Sequence, residues 1–92
     1  MLTEKVSFSA VLQRGNRVQI PKLVRWRFKM DSSQILKMTA LATNVWSGPQ
    51  FFYARMTPDG RLHIPQLQLR QMQSSRPGSL VGYVISVTIE PS

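Results

Sequence analysis

The sequence contains no cysteine, which excludes disulfides, thiol redox chemistry and thiolate zinc sites. Its one histidine, His63, leaves no imidazole pair for a metal site or a proton relay. Carboxylates are scarce: Glu4, Asp31, Asp59 and Glu90 are the full set, scattered from one end to the other. A two-carboxylate catalytic centre is not expected from that spacing, so the chain reads as a non-enzyme with no cofactor, metal or small-molecule substrate. Long apolar runs are also missing. The uncharged stretch 38–54 is broken by Asn44, Ser47, Gly48, Pro49 and Gln50, and no membrane partner is expected. Glu4 and Lys5 stand where an export signal would begin its apolar core, so a cytoplasmic location is the expectation.

What is abundant is positive charge. Twelve Lys and Arg face four acids in 92 residues, a net charge of +8. So large a charge on so short a chain points to a polyanion, with nucleic acid ahead of a membrane surface. The excess is uneven. Residues 1–46 hold eight basic side chains against two acidic, a net of +6, and residues 47–92 hold four against two, a net of +2.

The chain is also written twice. A shift of 44 positions lays FSAVLQRGNRVQIPKL, from Phe8, on FYARMTPDGRLHIPQL, from Phe52. The identical pairs are Phe8/Phe52, Ala10/Ala54, Arg17/Arg61, Ile20/Ile64, Pro21/Pro65 and Leu23/Leu67. Past the helix region the shift becomes 45, placing Leu36, Met38, Ala40 and Ala42 on Val81, Tyr83, Ile85 and Val87. A shift of 44 there would exchange the buried and exposed faces, so one extra residue is expected near Pro77-Gly78.

Each copy reads as strand, turn, short strand, helix, strand. Val6, Phe8, Ala10 and Leu12 alternate with polar residues, as do Phe52, Ala54 and Met56. Turns fall at Arg14-Gly15-Asn16 and Pro58-Asp59-Gly60, and the short strands bury Val18/Ile20 and Leu62/Ile64. Pro21 and Pro65 suit a first helical position, opening helices at 22–30 and 66–74. Closing strands span 34–45 and 80–89. Met30, Met38, Met56, Met72 and Tyr83 read as core. Repeat 1 covers 4–45 and repeat 2 covers 50–90, with a linker at 44–50. Neither unit can enclose a core alone, so a single barrel-like sandwich with approximate two-fold symmetry is expected.

The string GNRVQIPKLVRWRFKM resembles the AbrB/SpoVT/MazE swapped-hairpin DNA-binding family through Arg17, Ile20-Pro21, Val24, Arg25 and Phe28. The second copy is similar through DGRLHIP (Asp59–Pro65) and RPGSL (Arg76–Leu80). Ser33-Gln34 stands where the family commonly has Gly-Asp, Lys29 where Gly is frequent, and Leu69 where an Arg would fall. The resemblance implies a mainly β fold with two short helices. Tandem AbrB-like β-β-α-β units would form an intramolecular pseudo-dimer, a swapped-hairpin barrel. It also implies binding of double-stranded DNA, as a transcriptional regulator or nucleoid-associated protein, with Arg17, Arg25, Arg61 and Arg55 as contacts.

Charge and exposure add Arg14, Lys22, Arg27 and Lys29 to the DNA-binding set. The helix spacing places Arg25 and Lys29 one turn apart, opposite Val24 and Phe28. Arg17 and Arg61 take the outward parity of the short strands, where they either contact DNA or bond turn carbonyls across the two halves. On the first view, alanine at Arg17 and Arg25 weakens binding and leaves the melting temperature nearly unchanged. The uneven charge predicts a polar footprint. Trp26 reads as a lid over Leu23 and Met30, a partner anchor or a base-step wedge. Trp46 is expected over the sandwich edge, and His63 as a plain surface residue. Two other functions stay open: a protein-interaction module of the antitoxin type, disfavoured by the absence of an acidic tail beyond the last strand, and RNA binding. Self-association beyond the pseudo-dimer is also open.

Overall fold

Alternating apolar residues build six strands and two helices in the computed structural model, which describes residues 1–42, 48–72 and 80–92. The order is β1 (Val6–Val11), β2 (Arg17–Gln19), α1 (Lys22–Arg27), β3 (Leu36–Ala42), β4 (Gln50–Ala54), β5 (Arg61–His63), α2 (Gln66–Met72) and β6 (Val84–Pro91). The fold is mainly β with antiparallel pairing throughout. A four-stranded sheet runs β1-β6-β3-β4, and β2 pairs with β5 in a separate ribbon. Neither closes into a barrel, which corrects the expected swapped-hairpin barrel. The reason is local: β2 and β5 are three residues each, and β1 reaches β2 only through the single bridge between Gln13 and Arg17.

Every ladder joins the first copy to the second. β1 and β3 both pair with β6, β3 pairs with β4, and β2 pairs with β5. The registers obey an approximate two-fold relation. Phe8 lies opposite Val87 just as Phe52 lies opposite Met38. Val18 faces its repeat equivalent Leu62 on the ribbon, and Thr39 faces Thr88 at the centre of the sheet. The core is accordingly shared: Leu12, Val18, Ile20, Leu36 and Met38 form one cluster with Phe52, Met56, Leu62, Ile64, Ile85 and Val87.

These registers revise the alignment of the closing strands. The equivalents of Leu36, Met38 and Ala40 are Ile85, Val87 and Ile89, a shift of 49 in place of 45. Both shifts are odd, so the expected buried face of β3 stands, with Leu36, Met38, Ala40 and Ala42 all buried. Residues 80–83 are not strand. Leu80 is buried, the Tyr83 amide donates to the Leu80 carbonyl (2.9 Å), and the Gly82 amide donates to the Leu12 carbonyl (2.8 Å). This turn docks on the end of β1 and delays β6, leaving Val81 exposed and Tyr83 half-buried against the core.

The helices are shorter than their spacing suggests. Pro21 occupies the cap before α1 with extended ψ 138, and its carbonyl accepts from the Arg25 amide (3.1 Å). α1 stops at Arg27 because Lys29 takes φ 51, with the Lys29 amide donating to Trp26 (3.3 Å) and the Met30 amide to Arg25 (3.0 Å). That pair of bonds is the left-handed helix stop usually given to glycine. Lys29 therefore lies past the helix, not one turn from Arg25 on its surface. Trp46, most of the linker, and the turn at Pro77-Gly78 lie outside the described residues.

Candidate nucleic-acid interface

The ribbon gathers the charge. Val18 and Leu62 point into the core, so Arg17, Gln19, Arg61 and His63 share the opposite face, with Arg17 beside His63 and Gln19 beside Arg61. Each end of the ribbon is stitched to the other copy's turn. The Ile20 amide donates to the Gly60 carbonyl (2.9 Å) and the Ile64 amide to the Asn16 carbonyl (2.8 Å). The Gln19 side-chain amide reaches the Asp59 and Gly60 carbonyls at 3.2 and 3.1 Å. His63 and Gln19 thus join a surface that sequence reading assigned to arginines alone. Their parity with Arg61 and Arg17 was the available signal.

The arginines on this face differ in freedom. Arg17 is exposed and folds over its own turn, its Nε 3.2 Å from where a Cβ on Gly15 would stand. Arg61 donates from Nη1 to the Asp59 carboxylate at 2.7 Å. Its partner is therefore its own turn's carboxylate, not a carbonyl across the halves. The Thr57 hydroxyl also donates to Asp59. That bond, with the positive charge of Arg61 and then Arg17, holds the Asp59 carboxyl below the ordinary aspartate value against a weaker opposing effect of burial. Arg14 is exposed at the neighbouring turn.

Arg25 is the main departure. It is half-buried, and its guanidinium lies flat on the second copy's turn: a Cβ on Gly60 would sit 2.5 Å from Cζ and 2.6 Å from Nε. Its Nε is buried and has no partner among the described residues. The expected freely exposed helix arginine is instead a cross-half brace. In the second copy Leu69 takes the equivalent place and is buried.

The remaining predicted contacts scatter. Lys22 opens α1 with its ammonium 4.5 Å above the Trp26 ring, and the Arg27 guanidinium lies 5.6 Å from the Phe28 ring. Trp26 is 65% exposed and Leu23 77%, so Trp26 is no lid over Leu23. Arg27 turns toward β1, and the exposed Lys29 accepts the N-terminal amine on its carbonyl. Arg55, just past β4, continues the exposed parity of Phe51 and Tyr53. The structure brings together Arg14, Arg17, Arg25 and Arg61, with Asp59 as the carboxylate among them. Asp31 sits near the N-terminal amine (3.8 Å), and Glu90 lies opposite Lys37 in the β3–β6 register.

No family model matches the chain, and no curated protein matches it significantly. Its fold is similar to that of the solution structure of PHS018 from Pyrococcus horikoshii. The TM-score is 0.68 at 22% identity, over 99% of this chain and 92% of that one. At that identity the likeness is one of fold. Among the described residues, no helix is long and apolar enough to cross a membrane.

Proposed function

We propose that the chain is a non-enzymatic protein that binds duplex DNA, as a transcriptional regulator or nucleoid-associated protein of the cytoplasm. In this reading it is a pair of AbrB-like units in one polypeptide, acting as its own dimer. The observation that carries it is the ribbon, whose outward face sets Arg17 and Arg61 about the Val18/Leu62 centre with Arg14 and Arg25 alongside. A two-stranded ribbon is narrow enough for the major groove, about 12 Å wide. Ladders that all run between the copies also suit the interleaving that the resemblance implies.

Arg14 and Arg17 are free to meet phosphates. Arg61 must first exchange Asp59 for a phosphate, and Arg25 acts by holding the Gly60 turn in place. The first copy therefore grips harder than the second, and the footprint is polar. The test is fluorescence anisotropy with a labelled duplex, repeated across a salt series and with RNA and heparin as competitors. Binding to duplex should weaken linearly in log–log with salt, and Arg17→Ala should flatten the slope by about one unit. An unchanged slope in Arg14→Ala and Arg17→Ala, or equal competition by heparin, would overturn the reading.

A further inference from the structure

The two edges of the four-stranded sheet are repeat equivalents, yet they are finished differently. α2 packs on β4, and the Gln68 side chain donates to the Phe51 carbonyl at 3.4 Å, closing that edge. On the other edge, the position equivalent to Gln68 is Val24, which has no donor. Between α1 and β1 a groove of about 420 Å³ is left open.

Among the described residues, the backbone along that groove is unpaired on one side. Leu12 bonds toward β6 through both its amide and its carbonyl. Antiparallel alternation then turns Val6, Phe8 and Ala10 toward β6 as well, and aims the amides and carbonyls of Lys5, Ser7 and Ser9 outward. Such a row is a template for another strand. Val24 and Phe28 form an apolar floor beneath it, with Leu23 exposed at the lip. Lys5 and Arg27 stand on the rims, and no carboxylate lines the groove, though Glu4 lines the hollow that adjoins it past Phe28.

We propose that the β1 edge is a second binding site, taking an extended acidic peptide that adds as a strand between β1 and α1. About five residues would pair along Lys5 to Ser9, roughly 17 Å of strand. Alternate side chains would enter the Val24/Phe28 floor, and carboxylates would meet Lys5 and Arg27. Main-chain bonds supply affinity in this mode and the floor supplies selectivity. A second copy of the chain fits less well, because each copy brings a net charge of +8 and the same basic rims.

The experiment uses the full chain and a capped, fluorescein-labelled peptide, Asp-Val-Thr-Val-Thr-Val-Glu, titrated by anisotropy with amide shifts followed by NMR. Its counterpart with Lys at both ends serves as the comparison. The acidic peptide should bind at least about tenfold more tightly, as expected of complementary charge. Shifts should centre on Lys5, Ser7, Ser9 and Val24. Ser7→Pro should abolish binding, since it removes an outward amide and no ladder bond. Val24→Gln, which supplies the donor found at Gln68, should weaken binding by closing the edge, and Arg27→Glu should weaken it by charge. Neither Ser7→Pro nor Val24→Gln should alter affinity for duplex DNA. No binding, equal binding of both peptides, or indifference to Val24→Gln and Arg27→Glu would each overturn the proposal. So would shifts centred on Arg17 and Arg61, or a dimer of the chain that Ser7→Pro dissolves.

Discussion

Gly60→Ala should be among the most damaging small substitutions in the chain, and the damage should depend on Arg25. Gly60 has φ +84, where an L residue is strained by about 1–2 kcal/mol. The new methyl would also stand 2.5 Å from the Arg25 Cζ, so the guanidinium, the far end of a flexible side chain, must swing off the turn and forfeit its packing there, about 1 kcal/mol. Lower entropy of the unfolded chain returns about 0.5 kcal/mol. The net is a loss of about 2 kcal/mol, or roughly 8–16 °C in melting temperature for a domain of this length. Arg25→Ala alone should cost about 1 kcal/mol through lost packing of its stem. In the Arg25→Ala background the collision disappears, and Gly60→Ala should cost only its backbone strain. Urea melts of the four proteins, followed by circular dichroism, therefore give a coupling of about 1 kcal/mol in the restorative direction. Additive losses would refute the cross-half brace. The same cycle replaces the expectation that an Arg17/Arg25 double alanine variant leaves stability unchanged.

Asp59→Asn should free Arg61 and remove the one carboxylate near the ribbon, raising duplex affinity a few-fold in anisotropy at low salt. Because the folded Asp59 and Asp31 carboxyls lie below the ordinary aspartate value, their favourable contribution is present above that value and lost as pH falls through the folded one. Acid unfolding curves of Asp59→Asn should show a smaller loss below about pH 4 than the parent. Lys29→Gly should stabilise by about 0.5–1 kcal/mol in the same urea melts, since Lys29 bears φ 51 at the helix stop. Residues 1–46 expressed alone should be unfolded by circular dichroism and should gain structure when mixed with residues 47–92, because every ladder crosses between the halves. A cooperatively melting monomeric 1–46 would refute that account.

Where one residue type satisfies one local demand, the sequence was readable. The alternation in β1, β3 and β4 and the turn chemistry at Gly15-Asn16 and Asp59-Gly60 placed strands, turns and the core. The parity of Arg17 and Arg61 set them on the outward face of the ribbon, as expected. The misses arise where a contact between distant residues decides the outcome. The shift of 49 depends on a turn at 80–83 that docks on Leu12, and nothing in the pattern of Val81 and Tyr83 announces it. Arg25 looks like any helix arginine until Gly60, thirty-five positions away, provides a surface without a Cβ. Lys29 had a legible signal in its position, a helix stop of the kind usually given to glycine.

A dimer of identical chains must use each side chain twice about its axis, once on each side. A chain that carries both copies is released from that constraint, and this one uses the release at two places. At the turns, Arg25 lies on Gly60 while the equivalent positions hold Leu69 and Asn16, so one half is braced by a cation where the other has a buried apolar side chain. At the sheet edges, Gln68 seals β4 while Val24 leaves β1 open. Both differences put the cationic and open features on the first copy, which also carries a net charge of +6 against +2. The second copy supplies buried surface, ladder partners and a closed edge. On this division, exchanging Val24 and Gln68 should close β1 and open β4, where Leu67, Gln71 and Pro49 would replace Leu23, Arg27 and Lys5 beside it. With neither cation beside β4, the acidic peptide should then lose its shifts at Ser7 and bind only weakly along Phe51 and Tyr53. Peptide shifts that stay at Ser7 after the exchange would mean that the edge is set by helix position and not by the donor at this site.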